Sequence, residues 1–274
     1  RGRRDRHLHL DGSAVTSGRG GALWRRLVGS WPALVTASIA ASLVLAPQPL
    51  TWRRPVRDEF WRFARIAGPG SLGAMVLAAA LVGVGLVGQG VVWLGQVAQT
   101  ETLRRTILVL LIREVTPLVV GLVSLGRAGL MNLDELGAMR AGGTVRALEA
   151  QGLDPFLLLV LPRVLAMGLC ILAHAVVFLI VAVLVGYGFS QLLGVGAGRS
   201  VFGVARQTLL ALGQVGFLVL PVKTLLIGFA IAAVTSVTAL HAPRYGARTA
   251  LLSIGFFRAL VAIFVISLLG SLLL

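Results

Sequence analysis

Long apolar runs alternate with short polar interludes along this chain, and the runs set its architecture. Five are long enough to cross the roughly 30 Å hydrocarbon core of a bilayer as helices: Gly70–Val97, Ile107–Met131, Phe156–Phe189, Val215–Leu240 and Ala250–Leu273. A sixth run, Trp31–Ala46, is short for a span and ends at Pro47 and Pro49. Trp24, Trp31, Trp52 and Trp61 flank it among many arginines, which predicts a helix lying in the interface or a re-entrant elbow. Residues 52–66 predict a basic amphipathic surface helix with Phe60, Phe63 and Ile66 turned toward lipid. Residues 190–214 read as a loop plus a short interfacial helix, and no internal repeat is visible. The expected fold class is all-α integral membrane: an N-terminal interfacial or elbow helix, then five transmembrane helices. Three regions follow: a basic flexible lead over 1–28, interfacial and amphipathic helices over 29–66, and a transmembrane domain over 67–274.

The interlude between the second and third runs, Asn132 to Arg163, is patterned beyond what a chain reversal needs. Asn132 with Glu135 three residues on predicts a capped helix start. Leu133, Leu136 and Met139 are spaced for one helical face, and Val145 and Leu148 resume an apolar face after Gly142-Gly143. Asp134, Glu135, Arg140, Arg146 and Glu149 supply charge, while Gly152, Asp154 and Pro155 stop the helix and set up the next span. Two readings remain open at this point. One is a surface helix packed under the bundle; the other is a coupling helix whose apolar ridge docks in a groove of a soluble ATPase.

Composition agrees with a membrane protein: 57% of the 274 residues are apolar and 13% charged. The net charge of +15 raises nucleic acid as a partner, but its distribution argues against that. Arginines concentrate in the first 65 residues and in short loops beside apolar runs, as expected of cytoplasmic flanks near anionic lipid. Arg127, Arg140, Arg146, Arg163, Arg244 and Arg248 fall on one side, against Arg104, Arg105, Arg199 and Arg206 on the other. This predicts a cytoplasmic N-terminus and an external C-terminus. The basic lead is long and the first apolar run lacks a clear cleavage site, so no cleavable signal pattern is evident. Cys170, the single cysteine, excludes an intrachain disulfide and a cysteine metal cluster.

Candidate chemistry is sparse. Gly83 to Gly88 formally matches GxGxxG, but it lies mid-span, where small residues serve close helix packing rather than a nucleotide. No GxxxxGK(S/T) occurs, so the chain holds no P-loop, and ATP and Mg belong to another polypeptide if ATP drives its activity. Arg113 and Glu114 lie inside the second span, either as a polar site near a substrate path or as a helix–helix tie, Glu114 reaching Lys223 or Arg258. Pro117 loosens the helix beside them by supplying no amide hydrogen. Lys223, after Pro221, is expected to snorkel to an interface. His174 stands alone in the third span and reads as a packing or hydrogen-bonding residue. No nucleophile–base or metal-ligand set stands out.

The motifs around the interlude resemble those of the MlaE/YrbE family, the permeases of ABC transporters that move lipids with MCE proteins. The family pattern runs close to R-E-(L/I)-G-P, G-R-x-G, E-(I/L)-G-x-M-(K/R), D-P and P-R. Here the chain reads Arg113-Glu114-Val115-Thr116-Pro117, Gly126-Arg127-Ala128-Gly129, Glu135 to Arg140, Asp154-Pro155 and Pro162-Arg163, in order over about fifty residues. Gln89-Gly90 and Lys223 also match family positions. The resemblance covers residues 60–274. Thr116 stands for the motif glycine, Gly143-Thr144 for the usual Glu-Gln of the coupling helix, and Phe256-Phe257-Arg258 where an Asp-Phe is usual, which marks a divergent branch. Residues 8–28 resemble the tail of a STAS-like domain, which some members fuse in front.

The resemblance implies a homodimeric permease subunit of an ATP-driven transporter in the bacterial inner membrane, with a phospholipid-class substrate held between the two copies. It implies P-loop ATPase subunits on the cytoplasmic face, an MCE-domain protein on the outer face, and a STAS-domain protein as a further partner. On this reading Glu135, Met139, Arg140, Leu148, Glu149, Asp154 and Pro155 couple to the ATPase through a rigid lever over Asn132–Ala150. Gln89, Arg113, Glu114 and Lys223 serve the substrate cavity. The apolar walls and small residues of the first two spans suit acyl chains better than sugars or ions. The competing readings are a secondary transporter, which would need facing intramembrane acids or inverted repeats, and a non-transporting scaffold, which would not need Arg113-Glu114.

Overall fold

A computed structural model describes residues 17–48, 52–88, 109–194, 201–242 and 248–273. Among these residues every regular element is helical. α1 runs Ser17–Leu45, α2 Arg54–Ala67 and α3 Pro69–Val82, the last continuing as a π-helical turn over Gly83–Gly88. α4 is the unbroken helix Leu111–Ala141, with π-turns at Leu111–Val115 and Leu125–Gly129. α5 is the short Thr144–Ala150, and α6 runs Phe156–Leu192 with a π-turn at its start. α7 is Val201–Leu240 and α8 is Arg248–Leu273. Among the described residues, five stretches are long and apolar enough to cross a membrane: Arg54–Leu86, Leu111–Ala141, Phe156–Leu192, Leu218–Leu240 and Arg248–Leu272. The all-helical five-span architecture expected from the hydropathy pattern is therefore the one observed.

Each span forms for the reason its pattern gives, and its ends follow local rules. Gly68 and Pro69 mark the joint between α2 and α3, because Pro69 supplies no amide hydrogen. The Gly68 carbonyl there accepts from the Ser71 amide (3.0 Å) and lies 3.0 Å from His174 Nε2 on α6. His174 thus serves as the hydrogen-bonding residue expected of a lone histidine. Asp154 caps α6: its Oδ1 accepts the Phe156 amide at 2.9 Å while Pro155 occupies the next position. α6 is the central strut, packing on α2, α3 and α7. Where α6 crosses α7, a Cβ added to Gly228 would lie 2.6 Å from the Gly168 Cα, so only glycine admits this approach.

Five local expectations give way to the observed packing. The helix of α4 runs through Asn132 without a break, so Asn132 is no helix start; its amide group is used elsewhere. The lever expected over Asn132–Ala150 is two pieces, divided at Gly142-Gly143, where Gly143 adopts φ +81°. Phe63, expected toward lipid, is fully buried against the bundle, and α2 instead turns Arg54, Arg57, Trp61 and Arg65 outward. The outer loop and short helix expected over 190–214 are replaced at 201–214 by the first turns of the 40-residue α7. Finally, α1 begins at Ser17 and so takes in residues 17–28 of the lead expected to be flexible.

Candidate functional site

Two polar clusters lie at opposite ends of the bundle, and α4 joins them. At the arginine-rich end, Arg163 of α6 is 0% exposed. Its Nε donates to Glu59 Oε1 at 2.8 Å and its Nη1 to Asn132 Oδ1 at 3.0 Å. Its Nη2 lies 2.7 Å from Glu59 Oε1 and 3.3 Å from Glu135 Oε1. The guanidinium also sits 5.6 Å from the centre of the Phe63 ring. Arg62 closes the set, donating to both Glu59 oxygens at 2.8 Å and to Glu135 Oε1 at 2.6 Å. Asn132 Nδ2 donates onward to Thr235 Oγ1 (2.8 Å) and Ser236 Oγ (3.0 Å) of α7. Two guanidiniums thus face two carboxylates, which is what makes a fully buried arginine tolerable. The network links α2, α4, α6 and α7. Glu135 Oε2 is buried in it without a hydrogen-bond partner, so the network stops short of its full strength.

The same end carries the remaining residues expected to couple. Leu133 and Leu136 are fully buried and pack with Ala239, and the half-buried Met139 joins them. The apolar ridge of the interlude therefore faces its own bundle over this turn of α4. Arg140 Nε donates to the Ala242 carbonyl at 3.3 Å, and Asp134 pairs with Arg248 at the start of α8. In α5 only Val145 is buried; Leu148 is half-buried, and Arg146 and Glu149 are exposed. Gly152, at φ +73°, ends α5, with Gly152 N donating to Glu149 O and Leu153 N to Leu148 O. Asp154 and Pro155 begin α6, as described above.

At the far end of α4, backbone chemistry explains the second cluster. Pro117 has no amide hydrogen, so the Arg113 carbonyl four residues back lacks its helical donor. Lys223 Nζ fills it at 2.9 Å, and also donates to Glu114 Oε2 (2.9 Å) and Ser271 Oγ (3.1 Å). An ammonium has three donors, and here all three are used. Lys223 is 2% exposed, so it does not snorkel to an interface; it is the helix–helix tie that Glu114 required. Ser271 Oγ lies 2.7 Å from Glu114 Oε1, binding α8 into the cluster. Glu114 remains about one-third exposed and Arg113 half-buried. Gln89 lies outside the described residues. Arg258, the other partner considered for Glu114, instead approaches Thr238 Oγ1 at 3.5 Å and the Trp31 ring at 5.7 Å.

Sequence reasoning reached Glu135, Arg113, Glu114 and Lys223, and missed Glu59, Arg62, Ser271, Thr235 and Ser236. Glu59 and Arg62 carried a usable signal, since they are spaced i, i+3 on a helix. Arg163 was visible as a charge straight after Pro162 in an apolar run. Among the described residues, no group of three or more His, Cys, Asp or Glu side chains is placed to hold a metal ion. What the two clusters can do is mechanical: they fix four helices at one end and three at the other, with two continuous helices, α4 and α7, between.

The family model described as Permease MlaE matches residues 60–273, from the middle of α2 to the end of α8. A search of the curated proteins gives no match.

Proposed function

This chain belongs to the MlaE permease family, and from that premise we propose that it is the membrane-spanning subunit of an ATP-driven transporter of phospholipid-class molecules. Two copies enclose the lipid, and two P-loop ATPase subunits bind the arginine-rich end, which faces the cytoplasm of a bacterial inner membrane. An MCE-domain protein receives or delivers lipid at the outer end. The 274 residues contain no P-loop, so ATP and Mg are held by the ATPase partner and this subunit does no hydrolysis.

The observation that carries this reading is the continuity of α4. Glu114 and Glu135 stand on one unbroken helix, 21 residues apart, which at 1.5 Å per residue is about 31 Å. A push on the cytoplasmic end is therefore delivered to the outer cluster without an intervening loop. Exposed Glu149 and half-buried Leu148 of α5 meet the ATPase. Met139 and Arg140 hold the adjoining turn of α4 to α7 and α8, and Asp154 and Pro155 anchor the return into α6. Glu135 then passes the displacement through Arg163 to Glu59, and so to the first span. Nucleotide binding biases the cycle only if its two states contact α5 differently. At the outer end Glu114 and Arg113 present polar groups to the lipid headgroup, and Lys223 holds them in place. Gln89 belongs to the same cavity on this reading.

The test is gentle extraction of the tagged chain from its native membranes, followed by identification of what co-purifies. A P-loop ATPase together with an MCE-domain protein is the expected result. A dimer of this chain that carries neither, under several mild detergents, overturns the reading in favour of a carrier or scaffold.

A further inference from the structure

Among the described residues, no side chain neutralises Arg127. It sits in the π-turn Leu125–Gly129 of α4, inside the Leu111–Ala141 span, and its side chain is exposed. Its side chain has no hydrogen bond, ion pair or ring contact with any of the described residues. The buried and half-buried arginines near this end are matched: Arg62 and Arg163 to carboxylates, Arg140 to a carbonyl, and Arg258 to Thr238 and the Trp31 ring. Arg127 lies five residues from Asn132 toward the bilayer interior, about 7.5 Å at helical rise. It therefore stands further along α4 from the arginine-rich end than the Arg163 network, on the apolar span itself, where a charge pairs with something or lines a polar path.

The surroundings fit one kind of partner. π-turns are rare within α-helices and concentrate at functional positions. Gly126, beside Arg127, is exposed, and a Cβ added there would meet nothing within 4 Å, so the approach to the guanidinium is open. Met131, one turn on, is 46% exposed and offers apolar surface next to the charge. A cation with apolar surface beside it at this depth matches the phosphate and upper acyl chain of a phospholipid.

We propose that Arg127 binds the headgroup phosphate of a phospholipid in the leaflet at the arginine-rich end, holding it bidentately as a guanidinium does. This rests on the lipid-transport reading and adds a second position on the lipid path. Arg113, fourteen residues away on the same helix, stands about 21 Å from Arg127 along the axis. α4 then carries one phosphate-binding arginine toward each leaflet, with the apolar stretch 118–123 between them.

The test uses the complete complex in lipid nanodiscs that contain phosphate-radiolabelled phosphatidylglycerol and phosphatidylethanolamine. A photo-crosslinking residue replaces Met131, or Leu269 on α8 as a control facing the membrane. Labelled phospholipid is expected to be captured at 131, and Arg127→Gln to reduce that capture by roughly tenfold, the weight of a charge-assisted hydrogen bond. Arg127→Lys should fall between, because it keeps the charge and loses the fork. Capture at 269 should stay unchanged in both variants. Equal capture at 131 with Arg127→Gln overturns the proposal, since the side chain then only reaches for water. A chain-to-chain crosslink at 131 also overturns it, naming a second copy as the occupant. Co-purification of the ATPase with the unsubstituted chain is scored on the same samples. Its absence refutes the transporter reading, whereas its presence with unchanged capture refutes only the site.

Discussion

Replacing Arg163 by methionine tests whether the arginine-rich network carries the stability and coupling assigned to it. Methionine keeps much of the aliphatic length while removing the charge. In the native arrangement the buried guanidinium has bonds to Glu59 and Asn132, lies 3.3 Å from Glu135, and rests on the Phe63 ring. Removing one partner of a buried ion pair costs about 3–5 kcal/mol, because the remaining charges stay desolvated. Arg62 remains to satisfy Glu59, but its side chain is 39% exposed, so its contribution is screened and small. A loss of about 3 kcal/mol is the expectation, which is more than a hundredfold in the folding equilibrium. Reversible unfolding in mixed detergent micelles reads this directly. The double variant Arg163→Met with Glu59→Gln should recover part of the loss, because the uncompensated carboxylate is gone. In the assembled transporter, Arg163→Met should leave ATP hydrolysis in place while lipid transport per ATP falls. A loss below about 1 kcal/mol, or a double-mutant cycle with no interaction energy, would refute the reasoning, since that is the scale of an exposed pair.

Further outcomes follow from other contacts. Lys223→Met removes three hydrogen bonds and leaves Glu114 without its cation, with Ser271 alone as partner, so it should cost about 3 kcal/mol in the same unfolding assay. Glu114→Gln should restore part of that, and strict additivity of the two changes would show that no tie exists. Gly228→Ala drives a methyl group into the Gly168 backbone and should cost about 1–3 kcal/mol by overpacking; an unchanged unfolding midpoint would contradict the close crossing of α6 and α7. Gly143→Ala strains a left-handed residue by about 1–2 kcal/mol. Its effect should stay local, raising hydrogen exchange across residues 144–151, and a matching fall in global stability would show that the joint supports the bundle.

The spans were legible because a run of about twenty apolar residues has few other uses. What stayed hidden was which distant group each polar side chain meets. Asn132 and Glu135 fit a capping signature, yet α4 continues through them because residues 125–131 already form helix. Asn132 spends its amide on Thr235 and Ser236, more than a hundred residues later. Periodicity placed Phe60, Phe63 and Ile66 on one face of α2, but it could not say whether that face meets lipid or protein. The bundle takes Phe63 into its apolar core, where the ring and Glu59 of the same helix both meet Arg163. Lys223 departs from expectation for a similar reason. Its burial depends on a carbonyl opened by Pro117 on another span, and the opening and the donor are more than a hundred residues apart. The continuity of α7 through Gly203 shows that a glycine permits a helix to end without requiring it.

α5 is bounded by two glycines in left-handed conformation, Gly143 and Gly152, and buries only Val145 between them. Its bearing is therefore set by two backbone swivels rather than by the bundle. Apart from Val145, residues 144–151 bear little on the packing of the spans. This is also where Gly143-Thr144 stands in place of the family's usual Glu-Gln. On the proposed function, the swivel at Gly143 is this chain's own departure, and grafting residues 143–151 of another family member would replace it with a stiffer joint to α4 and redirect which ATPase the subunit accepts.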